Sequence, residues 1–181
     1  MARIVEFLAD GFEEVEAVTP IDYLRRAGVE VVVAGVGTMT PTGAHGLRIA
    51  VDVDAASLSG EFDGVVLPGG MPGASNLAGS RDVERVCKEI STKGGLVAAI
   101  CAAPVVALDH FGLLTGRRFT CYPGFEENVN EAEFLGEKVV VDGNLITSRG
   151  PGTAAFFASA IVRYLVGKKA SESLERDTLL V

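Results

Sequence analysis

Short apolar runs rich in β-branched residues alternate with amphipathic stretches along most of the chain. Arg3–Ala9 (RIVEFLA), Val29–Ala34 (VEVVVA), Asp63–Leu67 (DGVVL) and Leu96–Ile100 (LVAAI) each predict a strand. Near-continuous apolar character, rather than strict alternation, marks strands buried on both faces of a parallel sheet. Between them, Glu14–Ala27 predicts a helix with Ala17, Ile21, Leu24 and Gly28 on one face. Gly28 closes it, because glycine tolerates the positive φ of a helix C-terminus. Pro20 predicts a kink or a restart there, with Thr19 as the new cap. Asp82–Ser91 and Thr153–Val166 read as further helices, and Lys138–Val141 with Leu145–Thr147 as a hairpin around Asp142-Gly143-Asn144. Leu174–Val181 is a tail to which the pattern assigns no structure.

Strands alternating with helices predict an α/β fold: a three-layer α/β/α sandwich, flavodoxin-like, with a mostly parallel sheet. One domain over residues 1–181 accommodates it, since no linker, repeat or low-complexity segment interrupts the chain. Ligands of such sheets gather at the carboxyl ends of the strands. Asp10–Glu16, the glycine-rich Pro68–Ala74, Cys101 and Ser148–Gly152 all follow strands at that edge.

Composition narrows the partners. The net charge of −8 over 181 residues repels phosphate backbones, and no Lys/Arg cluster exceeds a pair, so nucleic acid is not an expected partner. No apolar run reaches the roughly 18 residues of a membrane span, and MARIVEFLADGFEEVE lacks the features of a signal peptide. Cys87, Cys101 and Cys121 are odd in number, widely spaced and without a CxxC, which argues against a disulfide framework or a zinc site. Reduced thiols in the cytoplasm are the expectation. GxxxxGK[ST] is absent and Gly35-Val36-Gly37 does not extend to GxGxxG, so no nucleotide cradle is predicted and no cofactor or metal is expected.

The candidate chemistry lies in Gly94–Pro104 (GGLVAAICAAP), where a strand stops on Cys101 and small residues lead into a helix. That is the pattern of a nucleophile elbow, and Ala99, Ala102 and Ala103 leave room for the bend. A helix N-terminus favours thiolate over thiol, which predicts a lowered pKa for Cys101. The Ala102 N–H, with an N–H from the Gly69-Gly70 turn, can cradle an oxyanion. Cysteine is equally a small buried hydrophobe, and the segment alone balances filler against nucleophile. Neither histidine offers a base: His45 falls in a loop, and His110 lies nine residues along the helix, about 13 Å down its axis. The carboxyls of Glu13, Glu14 and Glu16 are the better partners, two of them as helix-start acids. The one beside the thiolate must be protonated to donate to it. Cys87 and Cys121 read as packing residues.

Four segments together resemble the ThiJ/PfpI superfamily in its Parkinson-disease-protein (DJ-one) branch: GFEEVEAVTPIDYLRRAG at 11–28, VVLPGGMPGASNL at 65–77, GGLVAAICAAP at 94–104 and LITSRGPGTAAFFA at 145–158. The resemblance implies a flavodoxin-like fold, a homodimer and a cytoplasmic protein. It matches Cys101 to the reactive cysteine, Glu16 to the protonated glutamate, and Gly70 and Ala102 to the backbone donors. Arg26 matches an arginine near the dimer interface, while Arg149 and Pro151 fall in a motif bordering the site. Tyr122 stands where some members carry histidine, and its Cys-Tyr-Pro context is similar to bacterial ThiJ-like members. Ala102 replaces the histidine of the protease-like branch, and no His-x-Glu follows, which sets peptidases and amidotransferases aside. The resemblance implies a glyoxalase III or deglycase-like activity on 2-oxoaldehydes or glycated substrates. Its alternatives are a redox sensor or chaperone working through a Cys101 sulfinate and, last, thiazole monophosphate biosynthesis.

Overall fold

A computed structural model describes all residues, Met1–Val181. Nine strands form: β1 (Arg3–Leu8), β2 (Glu30–Gly35), β3 (Val53–Asp54), β4 (Gly64–Leu67), β5 (Leu96–Ile100), β6 (Arg118–Phe119), β7 (Glu133–Phe134), β8 (Val139–Asp142) and β9 (Leu145–Ser148). The helices are α1 (Glu14–Arg26), α2 (Gly73–Ala78), α3 (Arg81–Thr92), α4 (Ala154–Leu165) and α5 (Lys168–Asp177), with a π-helical segment over Pro104–Asp109. The main sheet has the order β3-β2-β1-β4-β5-β9-β8. All its pairings are parallel except β8 with β9, the predicted hairpin. Its interior order β2-β1-β4-β5-β9 is the flavodoxin-like one, which reverses direction between β1 and β4 and opens a crevice at their carboxyl ends. β6 and β7 make a separate two-stranded parallel pair that the hydrophobic pattern did not announce.

The central strands are as buried as their composition predicts: every residue of β4 and β5 is inside. α1 packs on α4 and α4 on α5, while α2 packs on α3 and the π-helical segment, giving a helical layer on each face. In α3, Val83, Val86, Cys87 and Ile90 repeat at helical spacing and face the core. Cys87 is therefore a packing residue, as expected. No helix is long and apolar enough to cross a membrane.

Three expectations change. α1 runs without interruption through Pro20, which is buried inside the helix, so Pro20 marks no restart. Glu13 caps this helix, accepting from the Glu16 N–H at 2.8 Å, so its start needs no second cap at Thr19. The tail from Leu174 belongs in part to α5, which buries Ser171 and Leu174 and leaves Leu179 exposed. Two inward residues were too weak a periodic signal to reveal it. The helix after Cys101 has π rather than α register, and nothing in the sequence explains the wider turn. His110 ends it, exposed on the surface, consistent with its dismissal as a base.

Candidate active site

Cys101 sits where β5 ends, and its backbone is in the left-handed region at φ 64°. A side-chain-bearing residue there costs about 1–3 kcal/mol and persists only when its surroundings hold it. Here the Cys101 N–H donates to the Ser148 carbonyl at 2.9 Å, and the Cys101 carbonyl accepts from the Tyr122 N–H at 2.9 Å. The predicted elbow is thus present, braced by the strand on one side and the Tyr122 turn on the other. Cys101 is buried but retains 8% exposure, whereas Cys87 and Cys121 are sealed.

Glu16, on the first turn of α1, is fully buried against this elbow. Its Oε2 accepts from the Gly69 N–H at 3.0 Å. Its Oε1 is buried and has no partner of full hydrogen-bond geometry, although the Cys101 thiol is close enough for each group to shift the other's titration. Gly69 is what allows this approach. A Cβ on it would stand 2.6 Å from the Cys101 Cβ and 2.7 Å from the Glu16 Oε2. Gly70 is held at φ +85° against the backbone of Gly11–Glu13, another place for glycine alone.

Burial raises the Glu16 carboxyl to about 7; the Cys101 thiol opposes the rise, the Glu13 charge adds to it and the Gly69 N–H opposes it. The Cys101 thiol is pushed up to about 12, first by burial and then by the negative charge of Glu16, with the Gly70 and Ala102 N–H groups pulling it down. The lowered pKa read from the sequence is therefore corrected: against a charged Glu16, desolvation and repulsion outweigh the two backbone donors. The correction carries its own remedy. When the proton sits on Glu16, the repulsion vanishes and the acid becomes a donor to the thiolate. Below about 7 the Glu16 carboxyl keeps its proton, and the orphaned Oε1 is where that proton fits.

The rim gathers most of the remaining sequence candidates. Gly150 lies between the Tyr122 ring and Glu16: a Cβ on it would be 3.3 Å from Tyr122 Cδ2 and 3.8 Å from Glu16 Oε1. Tyr122 is half exposed, its ring edge-on to Phe125 at 6.4 Å. Arg149 is half-buried, with Nη1 donating to the Gly136 carbonyl at 2.9 Å and the other guanidinium nitrogens unengaged by protein. Pro151 opens a 3-10 turn, exposed beside Gly150. Arg26 is elsewhere, on the last turn of α1, paired with Asp22 at 2.7 Å.

Glu14 has a structural task that composition did not disclose. Its buried carboxylate accepts from the His45 N–H at 2.6 Å and contacts His45 Nδ1 at 2.8 Å, strapping the 42–48 loop onto α1. Burial raises this carboxyl, and the His45 and backbone hydrogen bonds outweigh it, leaving the net pKa below the ordinary value. Glu13, Glu14 and His45 bring ligand atoms within 4.8 Å of one another, but Glu13 already caps α1 and Glu14 already binds the loop. The largest cavity, about 810 Å³, opens at the opposite edge of the sheet beside Phe62, Lys93 and Tyr164, away from the acid–thiol pair.

The sequence pattern of the DJ-1/PfpI family matches residues 2–164. The chain is 42% identical over 177 residues to Protein dj-1beta of Drosophila melanogaster, covering 96% of this chain and 94% of that one. It is 38% identical over 171 residues to the Glutathione-independent glyoxalase DJR-1.2 of Caenorhabditis elegans, covering 93% and 90%. It spans only 38% and 45% of the lengths of Protein DJ-1 homologs B and A of Arabidopsis thaliana. Among solved structures, oxidized Toxoplasma gondii DJ-1 superposes with a TM-score of 0.96 at 33% identity, over 99% of this chain and 98% of that one.

Proposed function

The chain belongs to the DJ-1/PfpI family, and on that premise we propose a cofactor-independent cysteine enzyme that converts 2-oxoaldehydes such as methylglyoxal, free or as early protein adducts, into 2-hydroxy acids. The observation that carries this reading is a strained, partly accessible Cys101 beside a buried Glu16 whose carboxyl sits at about 7. The Caenorhabditis relative named as a glutathione-independent glyoxalase supports the substrate class.

In this reaction the Cys101 thiolate attacks the aldehyde carbon, forming a C–S bond while the carbonyl oxygen takes the Glu16 proton. The Gly70 and Ala102 N–H groups stabilise the oxygen as its charge develops. The Glu16 carboxylate then removes the hydrogen from the former aldehyde carbon, giving an enediol, and returns it to the neighbouring carbon. The product is a thioester of the 2-hydroxy acid. Water cleaves the C–S bond, releasing lactate and restoring the thiol; one water is consumed and no external oxidant is needed. Tyr122 orients a substrate oxygen through its phenol hydroxyl, which can both donate and accept a hydrogen bond. Arg149 and Pro151 border the entrance. Lactate production from methylglyoxal should fall to background in Cys101→Ala, and equal rates in both proteins would sink the reading.

A redox role is favoured by the same donors and by the oxidized state of the Toxoplasma relative. Two peroxides convert the Cys101 thiolate to sulfinate with release of two waters, and Glu16 with the Gly70 and Ala102 N–H groups hold its oxygens. Mass spectrometry after mild peroxide should find two added oxygens on Cys101 alone; uniform oxidation of all three cysteines counts against it. Thiazole monophosphate biosynthesis ranks last, for want of a phosphate loop. A homodimer with Arg26 near its interface, working in the cytoplasm without nucleic acid or membrane, completes the proposal. Sedimentation velocity at micromolar concentration should give twice the 18.9 kDa chain mass, and a single-chain mass would remove the dimer.

A further inference from the structure

One carboxylate outside the acid–thiol pair makes two contacts that bear directly on the rim. Glu126 Oε2 accepts from the Gly124 N–H at 2.7 Å and from the Cys121 thiol at 3.8 Å. Both donors belong to the turn Cys121–Phe125, whose second residue, Tyr122, faces Gly150 and, beyond it, Glu16. The turn has few other anchors. Tyr122 gives its N–H to the Cys101 carbonyl, Pro123 has no N–H, and the Phe125 N–H reaches back to the Tyr122 carbonyl at 3.3 Å. Gly124 stands at φ +95°, so the chain reverses sharply there, and its N–H has Glu126 as its partner. Burial, followed by the Glu126 charge, holds the Cys121 thiol at about 12, so it stays protonated and able to donate.

Resting on the proposed conversion of 2-oxoaldehydes, we propose that Glu126 is the positioning residue for Tyr122: by clamping Gly124 and Cys121 it holds the phenol against Gly150 at the mouth of the Cys101–Glu16 pair, where Tyr122 sets substrate fit. Cys121 is then the buried peg of the clamp, which gives the sealed third cysteine a role distinct from catalysis. The phenol reads the substrate's second oxygen, while the bond changes remain with Cys101 and Glu16. Losing the clamp therefore weakens binding more than turnover.

The test compares Glu126→Ala with Glu126→Gln, which keeps an amide oxygen able to accept from Gly124. Three readouts apply: steady-state kinetics with methylglyoxal, native alkylation of Cys121 by iodoacetamide followed by mass spectrometry, and the fluorine resonance of Tyr122 in protein labelled with 3-fluorotyrosine, assigned through Tyr122→Phe. In Glu126→Ala, KM should rise about tenfold, the effect of one lost charge-assisted hydrogen bond, with kcat within about twofold. Cys121 alkylation should accelerate by a similar factor, the Tyr122 resonance should move toward its unfolded position, and Glu126→Gln, which keeps the acceptor for Gly124 but not the charge, should restore KM and the resonance. A Tyr122 resonance unmoved by Glu126→Ala overturns the proposal, as does a loss confined to kcat. If wild type makes no lactate at all, the functional reading fails by itself, and the Tyr122 resonance still decides whether Glu126 positions that ring.

Discussion

At the scale of single residues, the site rests on where one proton resides. Glu16 has a carboxyl raised to about 7, and its neutral form is the one that allows Cys101 to ionise beside it. As pH rises through 7 the pair loses its first proton, and the remaining one is shared between sulfur and carboxyl. The alkylation rate of Cys101 by iodoacetamide should therefore step upward near pH 7, level off, and climb again only in strongly alkaline solution. Glu16→Gln removes the group responsible for the first step, leaving a single transition set by the thiol alone. A step near pH 7 that survives in Glu16→Gln would assign it to another group and detach Glu16 from the chemistry. The juxtaposition was legible: Cys101 meets Glu16 and the Gly70 and Ala102 N–H groups in the fold. The direction of the thiol pKa was not, because local context announces a helix start and says nothing of how deeply the sulfur is buried or which acid folds over it.

At the scale of elements, the site is a seam between three strand ends, and glycine sets its width. The turn after β4 meets the elbow after β5 and the first turn of α1 with almost no clearance at Gly69. Gly69→Ala places a methyl group at 2.6 Å from the Cys101 Cβ and 2.7 Å from Glu16 Oε2, forcing thiol and acid apart. A displacement of about 1 Å costs roughly 100-fold in rate, so this variant should lose about that factor in lactate formation while its circular dichroism stays that of the wild type. Full activity in Gly69→Ala would mean that the two groups need not touch. Elements that announce themselves do so through burial on both faces, as in β4 and β5, or through a complete helical stripe, as in α3. The short pieces β3, β6 and β7 offer two residues each and take their form from neighbours, which no local pattern contains. α1 was legible in its extent but not at Pro20, where packing in the buried face keeps the helix continuous despite the missing N–H.

At the scale of the whole molecule, the sheet carries an acid that its own pattern conceals. Glu6 sits mid-strand in β1, paired in register with Val33 and Val66, and is fully buried with neither carboxylate oxygen hydrogen-bonded. Burial pushes its pKa well above the ordinary value of 4.5, with the Arg25 charge pulling weakly the other way. The fold thus binds a proton that the unfolded chain releases. Stability from this group is fully present below about pH 4.3 and is lost as pH rises through its folded pKa. Glu16 acts in the same direction between 4.5 and about 7. The growing negative charge of a chain already at −8 adds repulsion over the same range. Alkaline conditions should therefore destabilise this protein more than mildly acidic ones do. Glu6→Leu removes the unsatisfied acid and restores the apolar pattern of a central parallel strand, so it should stabilise by about 1–3 kcal/mol at pH 5, the cost of an unpaired buried polar group. The gain should widen as pH rises from 5 to 8, because only the wild type must then ionise or retain a proton against solvent. Urea denaturation of both proteins at several pH values reads this directly. A stability difference that stays constant across that range would show that Glu6 keeps one protonation state in the folded and unfolded chains alike, and the pH dependence would then belong to Glu16.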